Sequence, residues 1–352
     1  MVFVLIHLLN SYLKEHQNYS FEDLPFWKDV VAFRKKLYTY LVFLPLAAFV
    51  NFLEDNEYEI AFSILEIVEN RFNEFGFPLF ENRNIIPDDD TTLFVCSGMQ
   101  HLKDKFKHPD NSKNGSVQSC VRTNDIDLIG DSCHLTSFQM IGNFEFGGNH
   151  YEKSVELWSQ IIRDLKLEVT VHVHPTQQFH KKLWQQQKFP VIFDEDCVWS
   201  DGDIGGYCCE LYVNDLEIGN LVHTLGESVD VGFGLERLVQ VLENQDNVFQ
   251  TSLFCHDNPI ISDHVRTINL MLENGIKPSG KGRGNVLRKL IRRLIPYDID
   301  FHRELIEQEK QILQKKRFQI SNLWDKNSHQ SIDWWYQTHG ITEEELSFGI
   351  NT

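Results

Sequence analysis

Residues 228–237 read SVDVGFGLER, which predicts a strand, a tight turn and the start of a helix. Two apolar segments flank this stretch: LVHTL at 221–225 and LVQVL at 238–242. Gly232 and Gly234 let a ligand approach the backbone closely because neither has a side chain. Asp230 and Arg237 place opposite charges around the glycines. The stretch alone leaves two interpretations open. It forms a site for a ligand with a cationic end and a phosphate end, such as an amino acid joined to ATP, or it is a plain strand-to-helix connection with a surface arginine.

The composition is that of a globular protein. The chain has 352 residues, enough for two or three domains, and its hydrophobic fraction of 42% is ordinary for a protein with a sizeable core. The net charge of −18 opposes a broad nucleic-acid-binding surface, because phosphate binding needs clustered lysine and arginine. The seven cysteines show no regular framework and favour a reducing cytosol over secretion, so we expect a cytoplasmic protein.

The N-terminal segment is apolar but carries no chemical signal. Residues 1–9 lack the small-residue cleavage pattern of a signal peptide. Residues 37–53 form a second apolar run, which Pro45 interrupts and which is marginal in length for a bilayer. The run favours a buried helix pair over a membrane segment. We therefore expect residues 1–57 to be a helical extension with no membrane association.

We expect a central domain at residues 58–255 and a helical domain after it at residues 256–352. Two strands around a long polar loop, with Arg122 at the end of the first, indicate an antiparallel hairpin. Other strand and helix patterns then alternate, with strands at 169–173, 191–193, 211–213 and 216–225 and helices at 151–165 and 179–187. Many short antiparallel strands with helices on one side predict the α+β class.

Ordered motifs run from residue 60 to residue 297. They are SGM at 97–99, CVR at 120–122, FQMIGNFEFG at 138–147, GGYCCE at 205–210, DVGFGLER at 230–237 and RGNVLRKLIRR at 283–293. Together they resemble the catalytic half of the alanyl-tRNA synthetase family, a class II aminoacyl-tRNA synthetase family. The resemblance implies a six- or seven-stranded antiparallel sheet flanked by helices, followed by a helical tRNA-recognition domain. It also implies ATP and Mg²⁺ as cofactors.

The resemblance assigns roles to individual residues. It places Arg122 on the α-phosphate and the reacting carboxylate, and Arg237 on the β- and γ-phosphates; both are expected to act in catalysis, because a guanidinium suits developing oxyanion charge. The implied ATP-binding group also contains Asp125, His134, Phe138, Met140, Glu210 and Gly234. The implied amino-acid group contains Met99, Trp199, Asn220, Val222, Asp230 and Gly232, with Asp230 receiving the substrate ammonium.

Several of these assignments keep a structural alternative. Without the resemblance, ordinary core is the favoured interpretation of Met99, Trp199 and Val222. Asn220 either donates a hydrogen bond to the substrate carboxylate or caps a strand. Glu210 holds Mg²⁺ or a phosphate, or it forms a structural ion pair. The basic residues of the helical region are implied to face tRNA, with solvation of a helix face as the alternative; these residues are Arg283, Arg288, Arg292 and Arg293.

The sequence departs from the family pattern at defined positions. One aromatic and an amide, Phe138 and Gln139, stand where the family has two aromatics and an acid, and Gly219 replaces a tryptophan. The loop at 202–209 is about two residues shorter than usual in the family. The His-x-x-x-His pattern of the family's editing domain has no counterpart, so we expect an enzyme that also activates glycine and serine. The adjacent cysteines 208 and 209 are not a metal motif by spacing, and we expect no zinc site.

Three functional hypotheses follow. The first is an ATP-dependent alanine–tRNA ligase without editing. The second is a ligase that adenylates alanine or another small amino acid and passes it to a carrier protein or a metabolite. The third is a binding protein without chemistry, which the retention of Arg122, Asp230 and Arg237 opposes.

Overall fold

The computed structural model describes residues 59–341 except 90, 149, 226, 255 and 340. The helical extension expected at residues 1–57 lies outside the described residues, and so does the choice between a helix pair and a membrane segment at 37–53. In the part of the chain that the structure describes, no helix combines the length and the apolar character that crossing a membrane requires.

Nine helices and nine strands make up the described chain, besides short 3-10 turns. The helices are α1 Glu59–Phe75, α2 Lys103–Lys107, α3 Tyr151–Asp164, α4 Gln178–Gln186, α5 Leu235–Leu242, α6 Pro259–Glu273, α7 Gly282–Leu294, α8 Arg303–Asn327 and α9 Ile332–His339. The strands are β1 Leu79–Asn82, β2 Lys113–Val121, β3 Ser137–Glu145, β4 Thr170–Val173, β5 Val191–Phe193, β6 Val198–Asp201, β7 Ile204–Val213, β8 Leu216–Thr224 and β9 Val229–Gly234.

The backbone divides into two compact units, which meet in sequence between Gly275 and Ile276. The first unit contains the sheet and α1 to α6, and the second contains α7 to α9. Within the first unit, α6 packs on β3, where the carboxylate of Asp263 accepts the backbone N–H of Thr136 at 2.7 Å. The domain boundary inferred between residues 255 and 256 stays a prediction.

The sheet is mixed, with an antiparallel centre. Its strand order is β1-β2-β3-β9-β8-β7-β4-β5, and β6 pairs with β7 outside this order. The pairs β1–β2 and β4–β5 are parallel, whereas the other pairings are antiparallel. The α+β class is confirmed. The nine strands and the two parallel pairings go beyond the six or seven antiparallel strands that the resemblance implied.

One face of the sheet is buried under α1, α3 and α5. Leu221, Val231 and Phe233 point to this face and join a core cluster with side chains from all three helices. The Phe233 ring stacks on Trp158 of α3 with 3.8 Å between ring centroids. Burial of each large side chain contributes roughly 2–3 kcal/mol, so this face anchors the fold.

Gly219 explains one departure from the family pattern. A Cβ at this position would lie 2.4 Å from the ring of Phe233, its cross-strand partner. The absent side chain therefore makes the space that the Phe233 ring fills. A tryptophan at 219 would require this part of the core to repack.

Candidate functional site

The other face of the sheet carries most of the residues assigned by the sequence. Successive residues of a strand point to opposite faces, and residues directly opposite each other on antiparallel strands share a face. Val222 lies between Cys208 and Asp230 in the register, and Asn220 lies between Glu210 and Gly232. The predicted residues brought to this face are Phe138, Met140, Glu210, Asn220, Val222, Asp230, Gly232 and Gly234.

Asp230 is a buried carboxylate without a partner. Its residue is 9% exposed, and it forms no hydrogen bond or ion pair with any described residue. Burial, together with the smaller effect of the nearby Asp201 charge, raises the pKa of Asp230 to about 7. Asp201 itself is paired with Lys103 at 2.8 Å. The side chain of Asp230 is therefore available to a cation, and an ammonium group would relieve the cost of burying its charge.

Apolar side chains enclose Asp230 from both neighbouring strands. Its register partners are Val222 on β8 and Phe144 on β3, and both are fully buried. Phe144 belongs to a cluster with Met99, and the partly buried Trp199 packs against both this cluster and the one that contains Val222. The residues assigned to the small side-chain pocket thus lie near the carboxylate, while also serving as core.

Gly232 makes room for Met140. A Cβ at Gly232 would lie 2.9 Å from the sulfur of Met140. The same sulfur accepts the backbone N–H of Gly98 at 3.2 Å, next to Met99. Met140 therefore joins β3 to the turn at 97–99, and the bare backbone of Gly232 is what permits that packing.

Neutral groups hold the Arg122 side chain in place, so its charge is not paired with a carboxylate. Its Nε donates to the carbonyl oxygen of Cys96 at 3.2 Å, and its guanidinium lies 4.9 Å from the centroid of the Phe138 ring. The side chain is exposed and forms no ion pair with the described part of the chain. The two Nη groups therefore remain free to bind an anion.

Arg237 lies at the far end of β9, in the first turn of α5. Its Nη1 donates to the backbone oxygen of Glu217 at 2.7 Å and contacts the Glu217 carboxylate at 3.2 Å. A guanidinium has five N–H donors, so most of its donors remain for phosphates. Gly234 lies four positions after Asp230 along β9, which corresponds to about 14 Å. The cation-binding end and the phosphate-binding end are thus well separated along one strand.

The remaining ATP-assigned residues have local partners. His134 is paired with Asp131, and Asp125 lies half-buried in the 3-10 helix Thr123–Leu128. Glu210 accepts the hydroxyl of Tyr212 at 2.9 Å on one oxygen, while its other oxygen lies 3.8 Å from the sulfur of Cys208. Burial raises the pKa of Glu210, and the charge of Glu217 adds to this effect.

The sequence did not predict the contact that holds β3 in place. The buried carboxylate of Glu236 accepts the backbone N–H of Gln139 and forms an ion pair with Arg266 of α6. This contact holds the strand beside Phe138. The position of Glu236 inside the glycine motif was a signal for it, but its partner lies thirty residues away in the chain.

A cluster of Cys197, Cys208 and Glu210 was also missed. Their sulfur and carboxylate atoms all lie within 4.8 Å of one another. Cys208 and Cys209 are adjacent in the sequence, but only Cys208 belongs to the cluster. Cys209 points to the opposite face of β7, where its sulfur accepts the Tyr151 hydroxyl at 3.0 Å. Because Cys197 is distant in sequence, only the strand pairing brings it to Cys208.

The basic residues assigned to tRNA lie on α7 in the second unit. Arg288 and Arg292 both pair with the buried Glu309 of α8, with Nε–Oε distances of 2.5 and 3.1 Å. These two arginines therefore tie α7 to α8. Arg283 and Arg293 are half-buried on the same helix.

Comparison with known proteins gives a consistent result. The family model described as tRNA synthetases class II (A) matches residues 70–224 and 211–325. An alanine–tRNA ligase of Desulfitobacterium hafniense (strain Y51) is 29% identical over 317 residues, covering 70% of this chain and 36% of that protein. One of Bradyrhizobium diazoefficiens is 31% identical over 299 residues, covering 64% of this chain and 33% of that protein. The chain thus spans about a third of the length of the curated relatives it matches.

Among solved structures, apo histidyl-tRNA synthetase of S. aureus is 11% identical with a TM-score of 0.39, covering 54% of this chain and 67% of that chain. A likeness of this size supports no functional conclusion.

Proposed function

The chain belongs to the class II (A) tRNA synthetase family and carries an alanyl-tRNA synthetase-like catalytic region, and from this premise we propose that it activates alanine with ATP and transfers it to tRNA. In the first step, a carboxylate oxygen of alanine attacks the α-phosphorus, and pyrophosphate leaves. In the second step, a hydroxyl of the terminal ribose attacks the acyl carbon, and AMP leaves.

The unpartnered carboxylate of Asp230 is the observation that carries the proposal. An amino acid offers an ammonium group, and a buried carboxylate with no other partner binds it as a charge-assisted hydrogen-bond acceptor. Binding the ammonium compensates the burial of the charge and therefore returns Asp230 to its ionised form. The amine end of the substrate is thereby fixed on β9.

The pocket beside Asp230 favours a small side chain. Val222 and Phe144 occupy the neighbouring positions on both sides, and Trp199 packs over the Val222 cluster. Such apolar walls distinguish one methylene by only ~1–3 kcal/mol and reject an added hydroxyl weakly. We therefore expect alanine as the main substrate, with measurable activation of glycine and serine.

The phosphate end is served by Arg122 and Arg237. The free Nη groups of Arg122 suit the charge that develops on the α-phosphate oxygens, since an oriented donor needs no reorganisation during the reaction. Arg237 holds the leaving pyrophosphate. Catalysis of this kind rests on positioning and electrostatics rather than on a protein nucleophile.

Mg²⁺ fits the oxygen donors beside Arg237. It prefers one or two carboxylates together with phosphates, and Glu217 offers such a carboxylate where it already contacts Arg237. Glu210 is less suited because its two oxygens face Tyr212 and the thiol of Cys208. A bound Mg²⁺ supplies charge neutralisation on the phosphates.

Amino-acid-dependent exchange of pyrophosphate with ATP tests the first step. We expect exchange with alanine, weaker exchange with glycine and serine, and loss of exchange in Asp230→Asn. Arg303→Ala, an exposed change in the second unit, serves as the control and should leave the rate unchanged. Absence of exchange with every small amino acid would refute the proposal.

Transfer of labelled alanine to total tRNA tests the second step. We propose that the basic residues of α7 contribute to tRNA binding, as the family resemblance implies; they are Arg283, Arg288, Arg292 and Arg293. Pyrophosphate exchange without any transfer of alanine to tRNA would exclude tRNA as the acceptor and favour a carrier protein or a metabolite instead. A cytoplasmic location stays a prediction.

A further inference from the structure

Two thiols and a carboxylate meet beside the β6–β7 strand pair, at the end away from the turn that connects the two strands. Cys197 and Cys208 are buried, and Glu210 is half-buried. The backbone N–H of Cys208 donates to the carbonyl oxygen of Cys197 at 3.1 Å, and the register continues through Val198 and Tyr207. Strand pairing therefore holds the two cysteines opposite each other, while Glu210 follows Cys208 on the same face of β7.

The spacing of the three groups suits a tetrahedral ion. Their ligand atoms lie within 4.8 Å of one another, and the sulfur of Cys208 is 3.8 Å from the nearer oxygen of Glu210. Ligand distances typical of zinc, with a tetrahedral angle between them, place a sulfur and an oxygen about 3.6 Å apart. Little movement is needed for all three atoms to reach one ion.

A fourth residue orients the carboxylate. The hydroxyl of Tyr212 donates to the other oxygen of Glu210 at 2.9 Å, so the oxygen near Cys208 keeps a defined direction. Hydrogen bonds of this kind to a ligating group are a regular feature of metal sites. A carboxylate turned towards two thiols has no role in a disulfide, whereas it completes the ligand set of a cation.

We propose that Cys197, Cys208 and Glu210 bind one thiophilic divalent cation of the Zn²⁺ type, with a fourth position for water. Thiolates are soft ligands that suit zinc and not Mg²⁺, so this site is separate from the Mg²⁺ of ATP. The ion ties the start of β6 to β7. It thereby positions Trp199, two residues after Cys197, against Val222.

The proposal concerns metal binding itself and does not depend on which reaction the chain catalyses. The purified chain, prepared under reducing conditions, should hold about one zinc ion after dialysis, measured by elemental analysis. Co²⁺ in place of zinc should give the absorption of a cobalt–thiolate bond. Cys197→Ser and Cys208→Ser should each remove both signals.

Two controls separate this site from other thiols. Cys209→Ser changes the neighbouring residue, whose sulfur points to the opposite face, and should leave the zinc content unchanged. Cys133→Ser tests the other described group with metal-ligand spacing, Asp131, Cys133 and His134, and should leave the zinc content unchanged if the ion lies at Cys197 and Cys208. Loss of zinc in either control would overturn the assignment.

A milder variant covers the case in which a cysteine change prevents folding. Tyr212→Phe keeps all three ligands and removes the hydrogen bond to Glu210, so it should weaken zinc affinity by about tenfold or more. Zinc affinity unchanged in this variant would contradict the site. Absence of tight zinc binding in the unaltered chain while its thiols titrate as free would overturn the proposal, as would a disulfide between Cys197 and Cys208.

Discussion

Asp230 offers the sharpest test of the site, because its replacement should stabilise the ligand-free protein while abolishing the proposed pyrophosphate–ATP exchange. Burial raises the pKa of its carboxyl from 3.8 to about 7. The folded state therefore holds the proton more tightly than the unfolded state does. The contribution of Asp230 to stability is complete at low pH and is lost as the pH rises from about 4 to about 7.

The magnitude follows from the linkage between protonation and folding. Each tenfold change in proton affinity is worth about 1.4 kcal/mol, so ionised Asp230 costs about 4 kcal/mol at pH 8. At pH 5 the cost is about 1.5 kcal/mol, since the folded carboxyl is still protonated there. Asp230→Asn cannot ionise. The variant should gain about 2.5 kcal/mol of stability, relative to the parent, between pH 5 and pH 8.

Chemical unfolding of both proteins at the two pH values measures this gain. A constant penalty for burying the amide shifts both measurements equally, so it cancels from the difference. Asp246→Asn, which changes an exposed carboxylate, should show no comparable dependence on pH. Alanine should raise the stability of the parent protein by mass action and leave Asp230→Asn unaffected. If the stability difference is the same at pH 5 and pH 8, Asp230 is not the buried unpaired acid that the amine site requires.

Other substitutions test the remaining parts of the site and the second unit. Arg122→Ala should lower the exchange rate by about 10²–10³, as loss of an oriented oxyanion donor does, with folding unchanged by circular dichroism; a rate within a few-fold of the parent would remove Arg122 from the reaction. Gly232→Ala should cost about 1 kcal/mol of stability in a thermal unfolding measurement, because its Cβ would lie 2.9 Å from the Met140 sulfur and would move that sulfur away from the backbone N–H of Gly98; an unchanged melting temperature would contradict that packing. Glu309→Gln should destabilise the second unit by about 3 kcal/mol, since it leaves the two arginines of α7 without their carboxylate. That loss should appear in chemical unfolding, and high stability in this variant would show that the ion triad is dispensable.

Much of the placement of the candidate site residues was predictable, because it depends on short-range sequence patterns. The alternation of strand residues places Asp230, Gly232 and Gly234 on one face, and Arg237 follows in the first helical turn whatever the rest of the fold does. Local patterns of this kind depend on the geometry of a few consecutive peptide units. The motif order then indicated the family, which the match over residues 70–325 confirms.

Contacts between distant segments were beyond such reasoning. Such contacts depend on how separate elements pack. Examples are the ion pair of Glu236 with Arg266, the ion pairs of Arg288 and Arg292 with Glu309, and the parallel edge strands. Neither charge nor spacing along the chain distinguishes a buried ion pair from a solvated helix face. Arg288 and Arg292 of α7 show this, because only the structure reveals that both pair with the buried Glu309 of α8.

The sequence by itself determined the α+β class, the family and the change from strand to helix between Asp230 and Arg237, since periodicity acts locally. The tight turn predicted at Gly232 and Gly234 was wrong, because β9 continues through Gly234 and α5 begins at Leu235. The tertiary structure decided that Asp230 lies buried without a partner between Val222 and Phe144. It also decided that Cys197 meets Cys208 across a strand pair while Cys209 faces away. Burial and cross-strand neighbours arise only when strands pair in register, and these quantities set the charge state and the ligands of a side chain.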